Sequence, residues 1–146
     1  MLDPANIAAK ENIVSCYVEL SKYYNTKKNY KGVINSLKGI LKYKPEKAPL
    51  IKVDLANAYN NYGVTLMNQG KYQKAIENFQ KALKVRPDSK VAKENIAYCY
   101  INQGVEYHKK GDLIKAKQMF KKAIKAAPGT KAEEIAKNNL AAIKGE

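Results

Sequence analysis

The chain repeats itself at an interval of 41 or 42 residues, and this interval constrains the fold more than any other feature. Four of its five prolines, Pro4, Pro45, Pro87 and Pro128, are spaced by 41, 42 and 41 residues. Other identical residues recur 41 apart in the same phase: Gly63 and Gly104, Ala75 and Ala116, Phe79 and Phe120, Ala82 and Ala123. Matches that share one phase indicate duplicated structural units rather than coincidence.

Each unit has the pattern of two helices. Apolar residues in segments 72–85 and 113–126 recur at intervals of three and four, which is the spacing of one helix face. Pro87 and Pro128 end these helices, because proline cannot donate the next hydrogen bond of the ladder. The pattern predicts seven helices, at about 4–25, 29–43, 47–68, 72–85, 89–110, 113–126 and 130–144.

The second unit carries Y-x-x-Y-G-x-x-L at 59–66, followed by Ala75, Phe79, Ala82 and Pro87, and this order resembles the tetratricopeptide repeat. The third unit matches equally well, and the first is degenerate but in phase. The resemblance covers nearly the whole chain and implies an all-α fold, a right-handed α-solenoid of helix hairpins. The usual period is about 34 residues, so the extra residues are expected to lengthen the first helix of each unit.

The repeat phase also predicts the domain organisation. We expect a single domain over 1–146, with repeats at about 4–45, 46–87 and 88–128. Residues 129–146 are either a C-terminal capping helix or the start of a fourth repeat. Their polar residues favour the cap.

The resemblance implies that the first helices line a concave groove. Residues spaced by four, three and four along these helices, off the core stripe, should point into it. In the second unit these are Asn57, Asn61, Val64 and Asn68; in the third, Tyr98, Asn102, Val105 and Lys109; the first contributes Lys22. Tyr98 is the expected exposed aromatic residue of the groove.

Asn61 and Asn102 are the central candidates, since each lies two residues before the motif glycine. An asparagine amide both donates and accepts, so it can pair with a peptide backbone without reading side chains. The pair resembles the asparagines of kinesin light chain and related peptide-binding repeats. The simpler alternative is that both are solvated and bind nothing. The lysine, asparagine and arginine clamp of some co-chaperones is not expected here, because only Lys22 and Asn61 match it.

The net charge of +14 comes almost entirely from 26 lysines, with Arg86 as the one arginine. An acidic segment in a peptide partner is therefore favoured. Two other functions remain open: a basic protein that binds nucleic acid or another polyanion, and a structural module that assembles with itself. The shortage of arginine disfavours nucleic acid, since arginine is the usual side chain for reading phosphates and bases.

An enzyme is not expected, and neither is a cofactor or a metal ion. The chain has one histidine, His108, and its two cysteines, Cys16 and Cys99, lack ligand spacing. Several helix layers should separate these cysteines, so both are expected to be free, buried thiols. No apolar run is long enough to span a membrane and the start lacks a signal-peptide pattern, which favours the cytoplasm. The chain could equally be a fragment of a longer protein.

Overall fold

The computed structural model describes residues 4–144 of the chain, and the side chains of 6–143. Seven α-helices are found in this part, together with a 3₁₀ turn at Pro45–Lys47. They are α1 (Pro4–Thr26), α2 (Tyr30–Tyr43), α3 (Ala48–Asn68), α4 (Tyr72–Val85), α5 (Lys90–Lys109), α6 (Leu113–Ala126) and α7 (Lys131–Lys144). All seven predicted helices are therefore confirmed, with boundaries that agree within one residue.

The helices pack as three successive hairpins, α1 with α2, α3 with α4, and α5 with α6, and α7 packs on α6 and α5. The first helices of the hairpins contain 23, 21 and 20 residues, and the second helices contain 14 each. The extra length of the repeat thus lies in the first helix, as predicted. The fold is an all-α helical repeat.

Close glycine–phenylalanine contacts set the spacing within the second and third hairpins. Phe79 and Phe120 are buried to 1% exposure or less. A Cβ atom added to Gly63 would lie 2.5 Å from the Phe79 ring, and one added to Gly104 would lie 2.6 Å from the Phe120 ring. Each ring therefore fills the space that a side chain on the facing glycine would need.

The first hairpin places its glycines on the other helix. Gly32 and Gly39 belong to α2, and the rings that face them, Tyr24 and Tyr17, belong to α1. An added Cβ would lie 2.5 Å from the nearest atom of Tyr24, or 2.6 Å from that of Tyr17. This difference explains why the first unit matches the repeat pattern poorly although it forms the same hairpin.

The distances between hairpins define an inner and an outer row of helices. Cα atoms of α3 and α5, and of α5 and α7, approach within 8 Å, whereas no described Cα of α2 comes that close to α4, nor of α4 to α6. We therefore call α1, α3 and α5 the inner helices and α2, α4 and α6 the outer helices. The inner row has one gap, since no described residue of α1 has its Cα within 8 Å of α3.

The outward face of α1 differs from those of the other inner helices. Leu55 and Ile96 are buried against the preceding hairpin, but Ile13, at the matching position of α1, is 37% exposed. Cys99 is buried as expected, and both cysteines are free. The expectation that Cys16 is buried is wrong, because no described helix lies against this face of α1 and its thiol is exposed.

Candidate peptide-binding groove

A cleft of about 360 Å³ lies between α1 and α3, where the inner row has its gap. It brings together Lys22, Asn57 and Asn61, three of the residues that the sequence assigned to the groove. Asn57 and Asn61 are one helical turn apart, so both amides project from the same face of α3. The other lining residues are Ser21, Asn25, Tyr30, Val33, Asp54 and Ala58.

The polar groups of this cleft offer both donors and acceptors. Lys22 forms an exposed ion pair with Glu19, with 2.8 Å between Nζ and Oε1. Such a pair in water is weak, so the ammonium group can change partners at little cost. Asp54, which sequence reasoning missed, adds a carboxylate. It lies three residues before Asn57, and this helical spacing is the signal that could have found it.

An apolar cleft of about 320 Å³ continues from the polar one. The two clefts share Ser21, Lys22 and Asp54. The walls of the second are formed by Val18, Leu37, Ile40, Leu50 and Ile51, with Lys47 at its edge. Leu50 is 77% exposed, and such an aliphatic side chain gains free energy when a ligand covers it. The groove therefore has a polar half and an apolar half.

The candidates of the third unit lie in a different environment. Tyr98 and Val105 are half-buried and pack against a core cluster that includes Ala132, Ala136 and Ile143 of α7. Tyr98 was expected to be exposed, and the difference arises because α7 packs beside α5. Asn102 is half-buried and does not line the cleft between α1 and α3, whereas Lys109 is exposed.

The remaining candidates of the second unit also lie apart from the cleft. Val64 is half-buried and packs against the cluster that contains Leu66, Ile76 and Phe79. Asn68 is exposed at the last residue of α3. The predicted residues thus all lie on inner helices, but only Lys22, Asn57 and Asn61 line one cleft.

Asn60, for which the sequence showed no in-phase counterpart, connects two inner helices. Its side-chain oxygen accepts a hydrogen bond from Nδ2 of Asn95 on α5, at 2.9 Å. One repeat earlier, the matching positions hold Val18 and Asp54, which cannot form this bond. This hydrogen bond therefore has no counterpart between α1 and α3.

A further cleft of about 400 Å³ lies between the start of α4 and the end of α5. Burial raises the pKa of Tyr72 there, and the neighbouring carboxylate of Glu106 raises it further. Among residues 4–144 there is no group of three or more side chains suited to a metal ion, and no helix in that range combines the length and apolarity needed to cross a bilayer.

The hairpin stack, its inner groove and its glycine–ring contacts define a helical repeat protein. A tetratricopeptide repeat profile matches residues 54–128, about half of the chain. The chain therefore belongs to the tetratricopeptide repeat family. No curated protein sequence matches it.

Solved structures of low sequence identity are similar over most of the chain. The tetratricopeptide repeat domain of Arabidopsis OM64 has 16% identity and a TM-score of 0.46, covering 91% of this chain and 98% of that one. MamA has 18% identity and a TM-score of 0.42, covering 92% and 86%. The TPR2B domain of yeast Sti1, in a complex with pHsp70, has 20% identity and a TM-score of 0.40, covering 90% and 96%.

Proposed function

We propose that this chain is a non-catalytic adaptor that holds an extended peptide segment of a partner protein in the cleft between α1 and α3. The observation that carries the proposal is that Lys22, Asn57 and Asn61 line one cleft in the gap of the inner row. Membership of a family whose members are generally protein-interaction scaffolds supports the adaptor class.

The chemistry of the cleft indicates the kind of segment it would hold. The amides of Asn57 and Asn61 pair with backbone N–H and C=O groups of an extended chain, whatever its sequence. Lys22 adds a preference for an acidic side chain or a terminal carboxylate, which acts mainly on the association rate. Leu50 and the neighbouring apolar wall then cover one aliphatic side chain of the peptide.

Residues of the later units extend the site in this proposal. Asn102 lies 41 residues after Asn61, and its amide would continue the same line of backbone contacts along the inner row. Asn68 and Lys109 are exposed near the ends of their helices, where they would contact the flanks of a longer peptide. Val64, Tyr98 and Val105 would support that surface from below.

A test begins with peptides selected from a random library on the immobilised wild-type protein. Their affinity is then measured for Asn57→Ala with Asn61→Ala, and separately for Asn102→Ala, which tests whether the bound peptide reaches the third unit. We expect the double variant to bind at least about tenfold more weakly, because hot-spot contacts cost 2 kcal/mol or more when truncated. The melting temperature should stay constant, since Asn57 and Asn61 are exposed.

Two outcomes would reject the cleft. The first is unchanged affinity in the Asn57 and Asn61 double variant. The second is an equal loss in this variant and in a Lys52→Gln variant, since Lys52 is exposed on α3 but does not line the cleft.

Self-assembly is a second candidate, favoured by the uncovered face of α1. Ile13, Leu20 and Tyr23 on that helix are 37%, 40% and 57% exposed. Two copies would pair α1 with α1, because the exposed residues of α7 include Lys131, Lys137 and Asn138, and this polar end suits water. Sedimentation of the wild type and of Leu20→Lys tests it, and a monomer at high wild-type concentration rejects it.

A further inference from the structure

Charge is divided very unequally between the two rows of helices. The outer helices α2, α4 and α6 carry eleven lysines and one acidic residue, Glu77, so eleven minus one gives a net +10. The inner helices α1, α3 and α5 are longer but carry six lysines and five acidic residues, a net +1. A general bias towards lysine would affect both rows alike. The difference therefore belongs to the outer face itself.

The outer lysines are not there to balance charge within the fold. All are exposed except Lys117, which is half-buried. Of these eleven outer lysines, only Lys115 has an ion-pair partner among the described residues, with 2.9 Å between its Nζ and Oδ2 of Asp112. Lys121 has other lysines four residues before and after it, and like charges at this spacing weaken a helix. Such a field of unpaired charge is suited to an anionic partner.

The arrangement of aromatic residues disfavours nucleic acid as that partner. Tyrosine rings do lie near the outer lysines, but the ammonium groups cover them: Lys38 lies 5.7 Å from the centre of the Tyr59 ring, and Lys122 lies 5.7 Å from that of Tyr100. Single strands are held by stacking their bases on open aromatic rings. Arginine, which grips phosphates in pairs of hydrogen bonds, is absent from the outer helices.

One apolar side chain on the same face favours lipid. Ile114, in the first turn of α6, is 74% exposed and is followed by Lys115 and Lys117. An isolated aliphatic side chain contributes nothing to contacts with phosphates of a nucleic acid. At a bilayer surface it enters the boundary between headgroups and acyl chains, where apolar burial adds to electrostatic attraction. α6 is also the most basic of the outer helices, with five lysines and no acidic residue.

We propose that the outer face of α2, α4 and α6 docks on an anionic phospholipid bilayer, with α6 nearest the surface and Ile114 inserted among the headgroups. Lysines attract such a surface without any requirement on headgroup geometry. The inner helices then face away from the membrane, and their groove stays accessible to a peptide. This docking does not depend on the peptide cleft, because the two faces share no lysine.

The test measures co-sedimentation of the full chain with vesicles of equal parts phosphatidylserine and phosphatidylcholine, at about 0.15 M salt. We expect binding to these vesicles and none to phosphatidylcholine alone. Lys31→Gln, Lys121→Gln and Lys125→Gln together should weaken binding roughly 100-fold, because each lysine near an anionic surface contributes about fivefold. The three side chains are exposed, so thermal unfolding should stay close to that of the wild type.

The matched control changes the net charge equally on the inner helices. Lys52→Gln, Lys90→Gln and Lys93→Gln, all exposed on α3 and α5, should alter vesicle binding by about threefold or less. The variant Ile114→Ser should lower vesicle affinity severalfold and leave binding to heparin unchanged, because only lipid rewards the apolar side chain.

Three results would overturn the proposal. One is an equal loss in the outer and inner triple variants, which would make net charge the cause. Another is binding of a mixed-sequence DNA duplex at this salt concentration without binding of the anionic vesicles. The third is no binding of the vesicles by the wild type.

Discussion

The first hairpin and the two later hairpins all contain close glycine–ring contacts, but the glycine and the ring lie on opposite helices. In the later two, the glycine lies on the first helix and the ring on the second, as with Gly63 and Phe79. In the first hairpin the rings lie on α1 and the glycines on α2, as with Tyr24 and Gly32. These contacts lie at different positions of the repeat, because Tyr24 and Gly32 match Leu66 and Lys74 of the second unit.

The positions of the first hairpin that match Gly63 and Phe79 show a compensation in volume. Ser21 lies at the place of Gly63, and Leu37 at the place of Phe79. The larger residue on α1 thus faces a smaller apolar residue on α2. Leu37 is buried, with 5% exposure, and Ser21 is half-buried. Because the two changes offset each other, the helices keep a packed interface.

The largest expected contrast between the units is in thiol chemistry. Cys16 and Cys99 occupy matching positions, but Cys16 is exposed and Cys99 is fully buried. Burial raises the pKa of the Cys99 thiol to about 12, which leaves little thiolate to react. A chromogenic disulfide reagent at neutral pH should modify Cys16 at least about 100-fold faster. In guanidinium both thiols should react rapidly, and equal rates in the folded protein would contradict the difference in burial.

The next largest effect tests the volume compensation directly. Gly63→Ala should destabilise the protein by about 2–3 kcal/mol, because its Cβ collides with the buried Phe79 ring. Phe79→Leu alone should cost about 1 kcal/mol or more by leaving a cavity.

The double variant, Gly63→Ala with Phe79→Leu, imitates the first hairpin. It should lower the free energy of unfolding by at least about 1 kcal/mol less than the sum of the two single variants. Urea unfolding monitored by circular dichroism measures all three. Additive costs would show that the two positions do not compensate each other.

Alanine at the glycines of the first hairpin should cost less. The rings opposite Gly32 and Gly39 belong to half-buried tyrosines, which can turn towards water. Alanine also favours a helix by about 1 kcal/mol relative to glycine. We expect a net cost of about 1 kcal/mol for either variant in the same urea experiment. A cost equal to that of Gly63→Ala would remove the distinction between the hairpins.

Stability should depend on Asn60, which joins α3 to α5, more than on Asn57, which faces the gap between α1 and α3. Its hydrogen bond to Asn95 joins α3 to α5, so Asn60→Ala should cost about 1 kcal/mol. Asn57 lines the cleft between α1 and α3 and is exposed. Asn57→Ala should therefore stay within about 0.5 kcal/mol of the wild type. A neutral Asn60→Ala would show that the bond does not hold these helices together.

The smallest effect concerns helix caps and pH. Asn29 caps α2 without a charge, whereas α6 is capped by Asp112, which accepts from the backbone N–H of Lys115 at 3.0 Å. This hydrogen bond, assisted by the Lys115 side chain, lowers the pKa of Asp112 below its ordinary value of 3.8. The cap's contribution is therefore fully present above that value and is lost as the pH falls through the lowered pKa.

A comparison of melting temperatures isolates this effect. Asp112→Asn keeps a capping oxygen but does not titrate. The difference in melting temperature between the wild type and this variant should shrink between about pH 6 and pH 2. A constant difference would show that the carboxylate of Asp112 is not the titrating cap.

Much of this fold could be predicted because each helix ends at local signals. Prolines, glycines and the apolar stripe of each segment act within a few residues, so the helix boundaries followed from the sequence. The sequence also predicted that Asn57 and Asn61 share a helix face, since that depends only on their spacing. It did not predict that Lys22 alone of the first-unit and third-unit candidates would meet them in a cleft.

The wrong predictions concern which side chains are covered by a neighbouring helix. Cys16 and Cys99 have the same position within their helices, yet only Cys99 is covered. Tyr98 has the spacing of a groove residue, yet it packs into the cluster that reaches α7. The bond between Asn60 and Asn95 spans 35 residues and depends on how two hairpins are rotated relative to each other. Spacing along one helix carries no information on that rotation.

The gap between α1 and α3 has a mechanical consequence. The closest backbone contacts between the first hairpin and the rest of the described chain are those of α2 and the 3₁₀ turn with α3. We expect this seam to act as a hinge, because no described Cα of α1 lies within 8 Å of α3. A ligand bound in the gap would then set the angle between the first hairpin and the remaining stack, and this angle would depend on the width of the ligand. Asn57 and Asn61 on α3 would then stay in place while Lys22 on α1 moves towards them.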